Sequence, residues 1–105
     1  MPVSFNRRMS LQLKLEEVLG SRNVYFQPPE NVKLQYPAIV YHRDRSWDIW
    51  ADDGKYLLYR GYILTHIGYD PDSTVLDRLE LLPMCSFERH YESDGLNHDV
   101  YLIYN

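Results

Sequence analysis

The dipeptide Asp94-Gly95 constrains this chain more than any other two residues. It stands between two β-prone runs within Leu82–Asn105, and Asp-Gly in that setting is a strong signal for a two-residue type I′ hairpin. Both central residues need positive φ, which Gly meets freely and Asp tolerates. A two-residue loop fixes the register by pairing Ser93 with Leu96. Tyr91 then falls opposite His98, Arg89 opposite Val100, Phe87 opposite Leu102 and Cys85 opposite Tyr104. That set is mainly apolar and is assigned to the core. His90–Asp99, Glu88–Tyr101 and Ser86–Ile103 take the other face, because a one-residue slip exchanges the faces. Arg89 is the misfit on the apolar side and is expected to reach an edge or a carboxylate.

Two helices are legible upstream. Leu11, Leu15, Val18 and Leu19 recur at i, i+4, i+7 and i+8, one stripe of a helix over roughly 9–19, with Gly20 as its stop. Ser4 or Ser10 could cap its start. Asp70-Pro-Asp-Ser73 reads as a turn into a second helix over roughly 73–82, with Asp70 or Asp72 as cap. Val75, Leu79 and Leu82 form its stripe, and Pro83 ends it.

Three strands lie between the helices. Val24–Gln27 is short and is stopped by Pro28-Pro29, which suggests a sheet edge. Tyr36–Arg43 is the second. Residues 43–56 mix charges with Trp47 and Trp50 and show no regular period, and Asp53-Gly54 marks a further turn. Leu57–Tyr69 carries Leu57, Tyr59, Ile63 and Ile67 on one alternate set and Leu58, Tyr62 and Leu64 on the other. A strand apolar on both sides is central and covered on both faces. Two helices can hardly cover both faces of so small a sheet. The second cover is therefore either another subunit or the segment 44–56 folded back. The predicted fold is a single α+β domain over 1–105, an antiparallel sheet of four to five strands with two helices on one face, in the order α-β-β-β-α-β-β.

Composition narrows the function. The chain has 105 residues, room for one modest core. Its ten tyrosines stand out and suit either strands or interfaces. A net charge of −4 argues against a dedicated nucleic-acid-binding surface. No run of some 18 apolar residues is present to span a membrane, and Met1–Arg8 lacks the apolar core of a signal peptide. A single cysteine excludes an internal disulfide and fits a reducing compartment. Cys85 is expected to be a buried, inert thiol.

Chemistry-bearing patterns are weak. The four histidines lack the spacing of a zinc site, and the glycines are isolated, so neither a metal nor any other cofactor is expected. His90 and Asp99 should form a local cross-strand pair. Asp52, Asp53 and Lys55 read as an exposed turn rather than a nuclease centre. Arg43 and Arg45 interleaved with Trp47 and Trp50 resemble a base-stacking platform, but Asp44, Asp48, Asp52 and Asp53 spoil its field.

The phrases Leu15–Pro29, Tyr36-Pro-Ala-Ile-Val-Tyr41, Asp70-Pro-Asp-Ser73, Leu82–Phe87 and Asn97–Tyr101, in that order, resemble the small neck and tail-completion (tail-terminator) proteins of long-tailed phages. Residues 43–56 depart most from that pattern. The resemblance implies a small α+β fold and a homo-oligomeric ring, usually of six subunits, in the neck of the virion. Such a ring caps the tail tube protein, joins it to the head connector proteins, and passes DNA without binding it specifically. It brings no catalytic residues. A surplus apolar sheet face would then be an interface, with Tyr59, Tyr62, Leu64, Trp47 and Trp50 as candidate inter-subunit residues. An acidic balance also suits a channel that must not hold phosphates. Alternatives are a head-side connector (stopper or adaptor), a small acidic binding or inhibitor module, and a small hydrolase.

Overall fold

The structure is a computed structural model that describes the backbone of residues 3–50 and 56–105 and the side chains of residues 8–44 and 60–105. Its elements are α1 (Val3–Leu19), β1 (Val24–Phe26), β2 (Ala38–Trp50), β3 (Tyr56–Gly68), α2 (Thr74–Glu80), β4 (Cys85–Ser93) and β5 (Leu96–Tyr104). The class and order are those the sequence predicts. The sheet runs β1-β2-β3-β5-β4, with β1 at an edge and β3 in the middle. It is mixed rather than antiparallel, because β1 pairs parallel to β2. No tight-turn signal joins those two strands. Pro28-Pro29 ends β1 and the chain crosses over through residues 27–37, as parallel neighbours require.

The helix α1 starts at Val3, earlier than its apolar stripe, so neither Ser4 nor Ser10 marks its start. The stripe reports only the part that packs: Leu11, Leu15 and Leu19 are buried, while Leu13 is 60% exposed. Gly20 closes the helix at φ +84°, donating its N–H to the Glu16 carbonyl at 2.8 Å. In α2 the cap is Ser73, not Asp70 or Asp72. Its hydroxyl accepts from the Val75 N–H, and Asp70 instead accepts from the Asp72 N–H in the turn before it.

Both helices lie on one face. Leu11, Leu15, Leu19, Val75 and Leu79 pack on Val24, Ile39, Tyr41, Tyr62, Leu64, Tyr101 and Ile103 of the sheet. Three of the tyrosines are thus core residues, 2% exposed or less. Tyr41 is stacked edgewise on Tyr62 at 5.9 Å and lies 5.0 Å from Phe26. Its hydroxyl donates to Gln12 Oε1 at 2.6 Å, and the Gln12 amide donates onward to Glu16 and to the Val24 carbonyl. A polar tip that reaches a partner is what lets so large a side chain be buried. Burial pushes the Tyr41 phenol up, against a lowering hydrogen bond and charge from Arg8.

The C-terminal hairpin turns at Asp94 (φ +53°) and Gly95 (φ +75°) and pairs Ser93 with Leu96, as predicted. The predicted register holds to Arg89–Val100. A bulge at Glu88 then shifts it by one, so Phe87 faces Tyr101, Ser86 faces Leu102 and Cys85 faces Ile103. The shift moves Phe87 and Cys85 to the helix side, away from Tyr91 and Arg89. The core assignment within the hairpin is corrected accordingly. Tyr101 and Ile103 are the core residues of β5, Val100 and Leu102 belong to the opposite face, and Phe87 is 47% exposed.

The segment 43–56, expected to be irregular, is mostly strand. A register shift between Arg43 and Arg45 breaks the alternation that sequence reading relies on, and pairing then resumes from Arg45–Gly61 to Trp50–Tyr56. β1 reaches only residues 39–41 of β2, and β5 only residues 61–68 of β3. Arg60 and Asn105 still exchange backbone hydrogen bonds at 3.1 and 2.9 Å, so among the described residues 47–50 and 56–59 pair with each other alone, as a short two-stranded ribbon. The radius of gyration is 14.6 Å with a 49 Å long axis, against ~13 Å for a compact domain of this length. The expected turn at Asp52, Asp53, Gly54 and Lys55 lies outside the described residues.

Candidate functional site

The register lays the four long strands into rows. On the helix side the rows are Arg43–Tyr62–Ile103–Cys85, Tyr41–Leu64–Tyr101–Phe87 and Ile39–His66–Asp99–His90. On the other side they are His42–Ile63–Leu102–Ser86, Val40–Thr65–Val100–Arg89 and Ala38–Ile67–His98–Tyr91. With both helices on the first side, no helix covers the second among the described residues.

That open face is largely apolar. Val40, Ile63, Thr65 and Leu102 are half-buried, and Ile67 and Val100 are shielded by their neighbours. His42, Ile63, Thr65, Arg89, Tyr91 and Val100 line a shallow concavity of about 520 Å³. Its wall is a stack: the Arg89 guanidinium lies 5.4 Å from the Tyr91 ring centre, and Tyr91 lies parallel to His98 at 4.6 Å. Arg89 thus sends its charge outward along an aromatic edge, as expected of a cation on an apolar face.

Of the candidate inter-subunit residues, Tyr62 and Leu64 are corrected. They are 2% and 0% exposed under the helices, because strand alternation sends even-numbered residues of β3 to the helix side. Ile63, Thr65 and Leu102 are the half-buried residues on the side left open. Trp47, Trp50 and Tyr59 hold register positions in the ribbon (Trp47 opposite Tyr59, Trp50 opposite Tyr56), and their side chains lie outside the described residues.

Sequence reading found the His90–Asp99 pair, with Nδ1 to Oδ1 at 2.9 Å, but missed His66. The long-strand register places His66 beside the same carboxylate. His66 is 2% exposed and, among the described residues, its Nε2 has no hydrogen-bond partner. Burial pushes its pKa below the usual 6.5, with Asp99 opposing. The hairpin alone could not reveal it, because which β3 residue faces Asp99 is set by the register between β3 and β5.

An Asp–His pair is part of a general-base arrangement, and the single thiol of the chain does not lie beside it. Cys85 lies two rows away in register, and burial, with Glu80 adding, pushes its thiol up to about 11. No group of three His, Cys, Asp or Glu side chains suited to a metal ion occurs among the described residues. A second concavity of about 440 Å³ sits between α2 and the hairpin, with Asp72, Asp77 and Glu80 around Phe87 and Tyr101. No helix is long and apolar enough to cross a membrane among the described residues. No family model, no curated protein and no solved structure matches the chain.

Proposed function

We propose that this chain is a structural virion protein, a tail-terminator (tail-completion) subunit. It assembles into a homo-oligomeric ring, a hexamer by resemblance, on the last tail tube ring of a long-tailed phage. The ring stops tube growth and presents a surface to the head connector. The observation that carries this reading is the uncovered apolar face of the sheet: a small monomer gains by covering such a face, and in a ring the neighbouring copy does so. The phrase-by-phrase resemblance supplies the particular ring. The excess of acidic residues fits a lumen through which DNA slides.

Two measurements test it. Light scattering on the purified chain should give a defined oligomer. A phage lacking the gene should yield filled heads without joined tails, alongside tails of irregular length. Wild-type virions from that strain would reject the role. Tails of normal length that fail to attach would move the chain to the head side of the neck, as a connector.

The groove of Asp72, Asp77 and Glu80 around Phe87 and Tyr101 favours a second reading, an acidic module that binds a basic partner. That reading requires a monomer at every concentration.

A further inference from the structure

At the end of β3, where the chain turns toward α2, lies a pocket of about 320 Å³ lined by Pro37, His66, Gly68, Tyr69, Asp70 and Ser73. That is the lower end of the range for ligand sites. Its floor is His66 and Gly68, both buried, and its rim is Pro37, Tyr69 and Asp70, all exposed. The missing side chain of Gly68 makes the room. A methyl there would stand 3.4 Å from His66 Cε1, 3.5 Å from Pro37 Cβ and 4.0 Å from His66 Nε2. The Cε1–Nε2 edge of the imidazole therefore looks into this space. Nε2 is the atom that has no hydrogen-bond partner among the described residues, in a side chain 2% exposed. A polar atom buried without a partner costs free energy, and a ligand that bonds it restores that loss. Burial keeps the ring neutral at pH 7, so Nε2 can serve as an acceptor. The rim is held in place. Asn97 Nδ2 donates to the Tyr69 carbonyl at 3.2 Å, Asp70 Oδ1 accepts the Asp72 N–H at 2.9 Å, and the Tyr69 ring packs edgewise on Tyr36 with centres 6.2 Å apart.

We propose that this pocket binds a primary ammonium group carried on a short apolar stem, either a free alkylamine or the lysine side chain of a partner. An ammonium has three N–H donors and no acceptor. Three acceptors line the pocket for it: His66 Nε2, the Asp70 carboxylate and the Ser73 hydroxyl oxygen. The charges agree in sign. No Lys or Arg side chain lines the pocket, Asp70 stands at its rim, and Asp99 is the cross-strand neighbour of His66. Such a field favours a cation and repels a carboxylate or a phosphate. Pro37 and the Tyr69 ring give the stem apolar contact, and an aromatic ring at the entrance adds cation–π attraction. Holding the rim in place beforehand lowers the ordering cost of binding. The site is independent of the ring reading, because His66 lies on the helix side of the sheet and the open face on the other.

The test is a titration of the isotope-labelled chain with n-butylammonium chloride at pH 7, followed by nuclear magnetic resonance. Butanol and butyrate, on the same stem, are the neutral and anionic controls. Nα-acetyl-lysine amide stands in for a partner's side chain. Butylammonium should shift the Gly68, Tyr69 and Asp70 amides and the His66 ring signal saturably, and butyrate should not. Asp70→Asn keeps an acceptor for the Asp72 N–H and removes the charge. It should weaken binding about tenfold, the low end for a charge-assisted hydrogen bond. Gly68→Val should fill the pocket and abolish binding, with Gly68→Ala, whose methyl meets only ordinary contacts, as its replacement if the first fails to fold. Saturable binding of the lysine amide as well as butylammonium assigns the site to a partner's side chain, and binding of butylammonium alone assigns it to a free amine. No saturable shift with either amine, equal binding of butanol or butyrate, or an unchanged affinity in Asp70→Asn overturns the proposal and leaves the ring reading untouched.

Discussion

Replacing Leu64 by Ala should separate core from interface on the central strand. Leu64 is fully buried, and its cross-strand neighbours Tyr41 and Tyr101 are at most 1% exposed. The change removes about three methylene equivalents, ~2.4 kcal/mol at ~0.8 kcal/mol each. Two large tyrosines anchored by their own packing cannot collapse far into the space, so a cavity contribution brings the cost to ~3–4 kcal/mol. A domain of this size loses ~4–8 °C in Tm per kcal/mol, which gives a fall of ~12–32 °C. Leu102→Ala, one row over on the open face and half-buried, should cost the isolated subunit only ~1 kcal/mol. The assay is thermal and urea unfolding followed by circular dichroism, below the concentration at which wild type assembles. Equal losses from the two variants, or a fall under ~5 °C for Leu64→Ala, would refute the assignment of faces. Leu64→Asp should unfold the chain rather than yield a folded monomer.

Stability should decline in mild acid. Unfolded His66 takes up a proton near 6.5, whereas the buried folded form does so only at lower pH. Below 6.5 the unfolded state therefore binds more protons, and stability drops by up to ~1.4 kcal/mol per pH unit until the folded group titrates. His66→Gln should flatten the slope of unfolding free energy between pH 5 and 6.5, and an unchanged slope would remove His66 as its source. Cys85 should react sluggishly with a disulfide reagent at pH 8. A thiol at about 11 rather than 9.0 is ionised about a hundredfold less there, and reaction at the rate of the urea-unfolded chain would contradict that burial.

What the sequence revealed follows from where its signals are local. Asp94-Gly95 sets its own turn, and the Leu11/Leu15/Leu19 stripe reports its own burial, so the hairpin start and α1 were legible. The bulge at Glu88 has no such marker. It is an extra residue in a charged run, and it reverses the faces of everything on its far side, which is why Phe87 and Cys85 were placed wrongly. The shift between Arg43 and Arg45 hid the ribbon for the same reason, by interrupting a period of two with one unpaired residue. The parallel pairing of β1 is a long-range choice that three residues cannot encode. His66 was missed because its environment comes from a strand more than thirty positions later.

The two ends of the sheet carry a further consequence. β1 is three residues long and runs into Pro28-Pro29, and β4 is kinked at Glu88 and carries Glu88, Arg89 and Glu92 along its length. Short, proline-stopped, bulged and charged edges are what keep a sheet from templating another strand. Edge-to-edge pairing through β1 or β4, one route to amyloid-like fibres, is thereby obstructed. Any association of such a chain through its sheet is steered to the faces rather than to these two strand edges.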